Sequence, residues 1–308
     1  MCQFASLLFH VPSLDFAVSN LLSHSKTFEA LNLSEQQGWR EAHYLPSGEI
    51  GCRTIDGDSI SSETAARVLR EQFPTFPGFL SWALSHGAPL EDREKEGGRT
   101  VAHSAARCGH LPPGFDRWEL ADIDGWTVAH VAAIGGHLPP GFGRWELADR
   151  DGWTVAHAAA RYGHLPPGFG RWELADRDGW TVAHVAADTG HLPSGFGRWE
   201  LAGSDGWTVA HTAARYGHLP PGFDRWELAD RNGRTVAHTA VRCGHLPPGF
   251  GRWELADSTG LTVAHAAVRY GHLPSGETAE SLLSRARRNR RNRRRRELRA
   301  AKRAGTSL

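Results

Sequence analysis

The sequence predicts an all-α repeat solenoid, preceded by a small N-terminal α+β region and followed by a basic C-terminal tail. A strict internal period is the first observation, because the motif Thr-Val-Ala-His recurs at a constant step of 27 residues. The threonines that open it are Thr100, Thr127, Thr154, Thr181, Thr208, Thr235 and Thr262. The second observation is charge. Residues 285–303 carry a net charge of +11 while the whole chain carries +1, which leaves −10 elsewhere.

The repeat of 27 residues is too short to bury its own apolar face, so neighbouring repeats are expected to stack. This sets the predicted domains: residues 1–75 as an N-terminal α+β region, 76–97 as a capping half-repeat, 98–276 as seven repeats, and 277–308 as the tail. In the first region, Trp39–Leu45 and Glu49–Ile55 flank Pro46-Ser-Gly and predict a β-hairpin. Helices are predicted after Pro12 and over Ser61–Phe73 and Phe79–His86.

One repeat, Asp149 to Ala175, illustrates the prediction for all of them. Thr154 is expected to cap a helix over Val155–Tyr162, which is rich in alanine, and Gly163 is expected to end that helix in the left-handed conformation.

The second half of the repeat predicts a second short helix. Leu165-Pro-Pro suits a first helical turn, and Leu165, Phe169 and Trp172 form one apolar stripe at helical spacing. Asp176-Arg-Asp-Gly179 then predicts a turn into the next repeat. Each repeat is therefore expected to contain a pair of short helices and a hairpin-like turn.

These residues resemble the first half of an ankyrin repeat, which has the pattern of Asp149, Gly152, Thr154, His157 and the Ala-Ala and Gly-His pairs that follow. The resemblance covers about residues 78–276, with a period of 27 in place of 33 and Val-Ala in place of Pro-Leu after the threonine. It implies a protein-binding scaffold. It also implies that the Thr-x-x-His pair holds the loops together by hydrogen bonds.

Two rows of side chains are the candidate binding surface that the resemblance implies. One row follows the glycine at the hairpin tip, where tryptophans either bind a partner or pack on one another; the other row follows the Ala-Ala pair at the helix end. Trp, Tyr and Arg are the residue types that most often dominate interfaces. The predicted partner-binding residues are Trp126, Trp153, Trp180, Trp207, Arg107, Arg161, Tyr162, Arg215, Tyr216, Arg242, Arg269 and Tyr270.

Other residues with chemical potential fit structural roles better. A second tryptophan series, which includes Trp172, is expected to form the core. Fourteen of the 18 histidines belong to the repeats, and no carboxylate or thiolate partners accompany them in a metal-binding pattern. Cys108 and Cys243 occupy equivalent positions five repeats apart, too distant for a disulfide. No catalytic motif is present, so we expect neither enzymatic activity nor a cofactor.

The tail resembles arginine-rich RNA-binding and nuclear-localisation segments, through Arg-Arg-Asn-Arg-Arg within an arginine run. Such a segment is expected to fold only on binding and to share no core with the repeats. A membrane-surface patch, a solubilising tail and docking on the acidic body are the alternatives. The candidate nucleic-acid or import residues are Arg285, Arg287, Arg288, Arg290, Arg291, Arg293, Arg294, Arg295, Arg296 and Arg299.

The leading functional hypothesis is a scaffold or adaptor that binds another protein through its repeats. Near-identical repeats also suggest a host-interaction protein. The alternatives are a nucleic-acid-binding protein that acts through its tail and an effector whose residues 1–75 are enzymatic. No apolar run approaches the roughly 20 residues that cross a bilayer, so we expect a cytoplasmic monomer without membrane contact, and nuclear import where the cell is eukaryotic.

Overall fold

The computed structural model describes residues 39–44, 50–54, 59–60, 90–91 and 97–303. The chain divides into two compact bodies, Met1–Ala159 and Ala160–Leu308. The helices predicted after Pro12 and over Ser61–Phe73 and Phe79–His86 lie outside the described residues, as does most of the predicted capping half-repeat.

The first body contains a three-stranded antiparallel sheet in the order β1 (Trp39–Tyr44), β2 (Ile50–Thr54) and β3 (Ser59–Ile60). The predicted hairpin is confirmed, because β1 and β2 pair from Tyr44 opposite Ile50 to Trp39 opposite Thr54. The helices α1 (Val101–Arg107) and α2 (Val128–Gly135) follow and pack against each other.

A helix at each 27-residue step continues the array. Its bounds are α3 (Val155–Tyr162), α4 (Val182–Thr189), α5 (Val209–Tyr216), α6 (Val236–Cys243) and α7 (Val263–Tyr270). In the second body α4 contacts α5, α5 contacts α6 and α6 contacts α7, and α8 (Ala279–Arg303) contacts α7. The repeated helical architecture predicted from the sequence is therefore confirmed.

The helix ends form as the sequence predicts. Thr181 precedes α4, and its hydroxyl accepts a hydrogen bond from the His184 amide at 3.4 Å. Gly190 ends α4 with φ +77°, a left-handed conformation that a residue with a Cβ rarely adopts. Alanines fill the turns between, and Ala183, Ala186 and Ala187 are completely buried.

The predicted second helix of each repeat is wrong. Two turns replace it, as shown by the Phe169 amide, which donates to the Pro166 carbonyl at 3.1 Å, and the Leu174 amide, which donates to the Arg171 carbonyl at 3.3 Å. Proline followed by a glycine of φ +77° is the pattern of a type II turn, and this left-handed Gly168 stops a helix from propagating. The repeat therefore has one helix, not a pair.

The predicted Asp-x-x-Gly turn is confirmed. In the hairpin between Ala175 and Thr181, the Asp176 amide donates to the Trp180 carbonyl at 2.9 Å. The carboxylate of Asp176 accepts hydrogen bonds from the amides of Asp178 and Trp180 at 3.0 and 2.8 Å. The aspartate therefore fixes the hairpin tip on which Trp180, directly after Gly179, is displayed.

The core contains an aromatic ladder. In the second body Trp172 lies edge to face between Phe169 and Phe196, with both ring centroids 5.3 Å away. The same alternation continues to Trp253 at separations of 5.2 to 5.4 Å. Trp118 and Trp145 form an equivalent ladder with two phenylalanines in the first body. The prediction that this tryptophan series is core is confirmed, since its members are at most 9% exposed.

The tail is a helix that shares a core with the last repeat, so the prediction of a separate tail is wrong. Leu282 is fully buried and Ala286 is 2% exposed, one helical turn apart on the same face of α8. The Thr278 hydroxyl accepts from the Ser281 amide at 3.2 Å and begins the helix. From Arg290 to Arg299 every side chain is exposed. In the described part of the chain no helix has the length and apolar character that crossing a membrane requires.

Candidate binding surface

Within each body the first histidine of a repeat forms a hydrogen bond to the next repeat. In the second body, His184 Nδ1 accepts a hydrogen bond from the Thr181 amide at 3.3 Å, and Nε2 lies 2.9 Å from the carbonyl oxygen of Trp207. Because the backbone amide is always a donor, the ring proton resides on Nε2, which donates to that carbonyl. His211 and His238 make the same link. The hydrogen bonds expected of the Thr-x-x-His pair are therefore present.

Burial lowers the pKa of these imidazoles. The effect applies to His184, His211 and His238 in the second body and to His130 in the first, and the hydrogen bond to the next carbonyl opposes it only in part. The rings are consequently neutral connectors of hairpins.

The second histidine of each repeat covers the helix end of the preceding repeat. His218 Nδ1 lies 2.9 Å from the carbonyl oxygen of Ala187, and His245 Nδ1 lies 3.0 Å from that of Ala214. A Cβ at Gly190 would meet the His218 ring at 3.2 Å, so the ring lies directly on the glycine. Among the described residues, no three His, Cys, Asp or Glu side chains come together as a metal-binding group. Cys108 and Cys243 are both free thiols.

The hairpin-tip tryptophans pack on these histidines. The Trp153 and Trp126 indoles lie 5.0 and 5.4 Å from the imidazole of their own repeat in the first body, and Trp180 and Trp207 lie 5.3 and 5.0 Å away in the second. Trp180 is 37% exposed, and the other three are half-buried. Each indole therefore combines a structural contact with an accessible edge.

The helix-end row is the more exposed of the two. Tyr162, Tyr216 and Tyr270 are between 37% and 44% exposed in the second body. The guanidinium of Arg215 lies 5.4 Å from the Tyr216 ring, and that of Arg269 lies 5.8 Å from the Tyr270 ring. These distances are typical of cation–π pairs. Arg161 and Arg242 are also exposed, whereas Arg107 in the first body is half-buried.

Some residues of the hairpin-tip and helix-end rows line a groove of about 150 Å³ in the second body. It brings together four predicted residues, which are Trp207, Arg242, Arg269 and Tyr270. The other predicted residues do not line it. The predicted binding residues do not include its remaining lining, which is Arg234, His238, Thr239, Asp257, Leu261, His265 and Ala266. The available signal was that Arg234 and Leu261 stand where four other repeats have tryptophan.

Other exposed arginines are occupied by ion pairs between repeats. Arg198 pairs with Glu173 at 2.7 Å, and Arg225 pairs with Glu200 at 2.7 Å. The pKa of Glu173 lies below its usual value because of its own backbone amide and the Arg198 guanidinium. These pairs separate structural arginines from those of the groove, since Arg234 and Arg242 form no ion pair within the described residues.

The arginines of α8 are mostly unpaired. Arg285 pairs with Glu277 at 2.5 Å and Arg293 with Glu297 at 2.9 Å. The exposed arginines that form no ion pair in the described part of the chain are Arg287, Arg288, Arg290, Arg291, Arg294, Arg295, Arg296 and Arg299. Comparison with known proteins adds no assignment, since neither a protein-family model nor a curated protein matches the chain.

Proposed function

We propose that the protein is a scaffold that binds another protein along the hairpin-tip and helix-end rows of its repeats. The observation that carries the proposal is the recurrence of exposed Arg and Tyr side chains at equivalent helix ends, with Arg215 on Tyr216 and Arg269 on Tyr270. The resemblance to ankyrin repeats supports the same function, because it implies a protein-binding scaffold.

The physical support lies in preorganisation. A cation–π contact restrains an arginine before it meets a partner, so less side-chain entropy is lost on binding. The His184 and His211 links hold successive hairpins at fixed spacing, which keeps the rows rigid. Exposed tyrosine and arginine on a rigid support are the usual anchors of interfaces.

The test is affinity capture from source-cell extract with the full chain as bait. A variant that combines Tyr162→Ser, Tyr216→Ser and Tyr270→Ser should lose specific proteins that the unaltered chain retains. Arg198→Gln is the control, because it removes only an exposed ion pair worth about 0–1 kcal/mol and should retain them. Identical protein sets with all three baits would contradict binding through these rows.

Nucleic-acid binding by α8 is a second candidate, favoured by the unpaired arginines that are exposed beyond Ala286. On duplex DNA each phosphate contact contributes about −0.9 to the slope of log K against log salt. Combining Arg294→Gln, Arg295→Gln and Arg296→Gln should make that slope less negative and leave the fold unchanged, since these side chains are exposed. A slope that is equal in both proteins would show that this part of α8 does not contact phosphates.

The third candidate, an enzymatic segment within residues 1–75, lies outside the described residues except for the three strands. The absence of enzymatic activity, the cytoplasmic location and the monomeric state stay predictions.

A further inference from the structure

The groove in the second body occurs where the array departs from its own repeat. Tryptophan occupies the hairpin tip at residues 126, 153, 180 and 207, but Arg234 and Leu261 stand at the next two tips, and both line the groove. Replacing two indoles by narrower side chains leaves space beside Trp207. The groove is therefore a consequence of specific substitutions in otherwise near-identical repeats.

An unused hydrogen-bond donor belongs to His265, a residue that lines the same groove. His265 Nδ1 accepts from the Thr262 amide at 3.2 Å, which places the ring proton on Nε2, as in the preceding repeats. His211 and His238 donate this proton to the carbonyls of Arg234 and Leu261 in the following hairpin. No repeat follows His265, and its Nε2 has no partner among the described residues.

The end of α7 is open for the same reason. In an earlier repeat His218 lies on Gly190, whereas nothing lies within 4 Å of a Cβ built at the equivalent Gly271. Leu273, two residues after this glycine, is 38% exposed, and Leu261 at the hairpin tip of the same repeat is 49% exposed. At His265 and Gly271 the last repeat therefore lacks the contacts that the following repeat supplies elsewhere, although α8 packs on another part of α7.

Charge defines the chemistry of an occupant. Arg234, Arg242 and Arg269 line the groove, and Asp257 is its one carboxylate. The Asp257 oxygen Oδ1 already accepts hydrogen bonds from the amides of Thr259 and Leu261, at 2.9 and 3.0 Å, so the carboxylate is engaged in its own hairpin. The groove therefore offers an excess of cationic donors above an apolar wall.

We propose that this groove binds an extended acidic peptide segment of a partner protein. A backbone carbonyl of the segment accepts from His265 Nε2, its carboxylates pair with Arg242 and Arg269, and one large apolar side chain packs between Trp207 and Leu261. A cavity of about 150 Å³ takes a group of benzene size, which suits a phenylalanine or leucine anchor. The proposal rests on the protein-binding function proposed above and narrows it to a class of partner.

The test is selection of binders from a displayed random peptide library on the full-length chain. Enrichment of peptides that place Asp or Glu next to Phe, Leu or Trp is expected. Leu261→Trp should abolish their binding, since it restores the indole that other repeats carry and fills the groove without a foreign residue. Combining Arg242→Glu with Arg269→Glu should weaken binding at least tenfold, which corresponds to about 1.4 kcal/mol.

Arg177→Glu is the matched control, because Arg177 is an exposed arginine of the same body outside the groove. This variant should bind the selected peptides as tightly as the unaltered chain does. The proposal is overturned by any of three results: no enriched binder, enriched peptides without acidic residues, or binders that tolerate Leu261→Trp. If an oligonucleotide displaced the selected peptides from the groove, the occupant would be a nucleic acid and not a peptide. If the chain formed a dimer that Leu261→Trp abolished, the occupant would be a second copy of the chain.

Failure here is distinguishable from failure of the scaffold function. Protein capture that depends on the tyrosine row but tolerates Leu261→Trp would leave the scaffold in place and remove only the groove. Capture that tolerates the triple tyrosine variant would remove the broader proposal, whatever the library selection gives.

Discussion

Lowering the pH should destabilise the second body through His184. Both ring nitrogens are already committed, since Nδ1 accepts from the Thr181 amide at 3.3 Å and Nε2 donates to the Trp207 carbonyl at 2.9 Å. Burial opposes a positive charge on the ring, and a second proton on Nδ1 would also face the amide proton of Thr181. The pKa of His184 consequently lies below its usual value.

The direction in which the free energy of unfolding changes with pH follows from comparing the folded and unfolded states. Above the unfolded pKa of about 6.5, His184 is neutral in both states and contributes no pH dependence. Below that pH the unfolded state binds a proton that the folded state does not, so the free energy of unfolding falls until the folded pKa is reached. The limiting slope is about 1.4 kcal/mol per pH unit for each such histidine. His211 and His238 act in the same direction.

Urea unfolding followed by far-ultraviolet circular dichroism measures this slope between about pH 7.5 and pH 5. The His184→Asn replacement should cost about 1–3 kcal/mol at the upper pH, because the Thr181 amide or the Trp207 carbonyl loses its partner. The variant should also show a shallower slope than the unaltered chain. Parallel slopes in the two proteins would refute the reasoning, since His184 would then not titrate differently on folding.

Three further stability changes follow from the packing, each measured by the same urea titration. Trp172→Ala should cost about 3–5 kcal/mol and Trp180→Ala only about 1–2 kcal/mol, because the first indole is 8% and the second 37% exposed; equal losses would erase the distinction between core and tip. Gly190→Ala should destabilise by more than about 1 kcal/mol because φ is +77°, whereas Gly197→Ala, which meets no neighbour within 4 Å, should be nearly neutral. Leu282→Ala should cost about 2–5 kcal/mol and speed hydrogen exchange in α8, and unchanged exchange would show that α8 does not depend on this contact.

Sequence reasoning succeeded where one local rule decides the structure. The cap at Thr181, the stop at Gly190 and the turn at Asp176 depend on a side chain and its own backbone, and all three form as predicted. It failed where two local rules compete. Leu165, Phe169 and Trp172 fit a helical stripe, yet the Pro-Gly pair between them forces a turn, and the stripe becomes part of a ladder across repeats.

The tail and the groove were missed for a different reason. The composition of the tail is dominated by arginine, and the two residues that dock it, Leu282 and Ala286, are a small share of the segment. The groove depends on the size of the side chains at Arg234 and Leu261 relative to the indoles of other repeats. The sequence shows that Arg234 and Leu261 depart from the repeat, but that these departures leave a groove, and that Leu282 and Ala286 dock the tail, follows only from the three-dimensional arrangement.

Positions that are identical in every repeat and positions that differ between repeats need different physical explanations. The first histidine of the repeat is identical in every repeat and forms the same hydrogen bonds to the next hairpin, as His184 and His211 show. Stacking of the repeats therefore explains its identity. Stacking does not explain Arg234 or Leu261, since tryptophan serves at the same position in four other repeats. Nor does stacking explain why His265 keeps the same hydrogen bond from the Thr262 amide although no hairpin of a further repeat follows it. These three residues line one groove, and the extended segment of a partner protein proposed above, which supplies a carbonyl, would account for all of them.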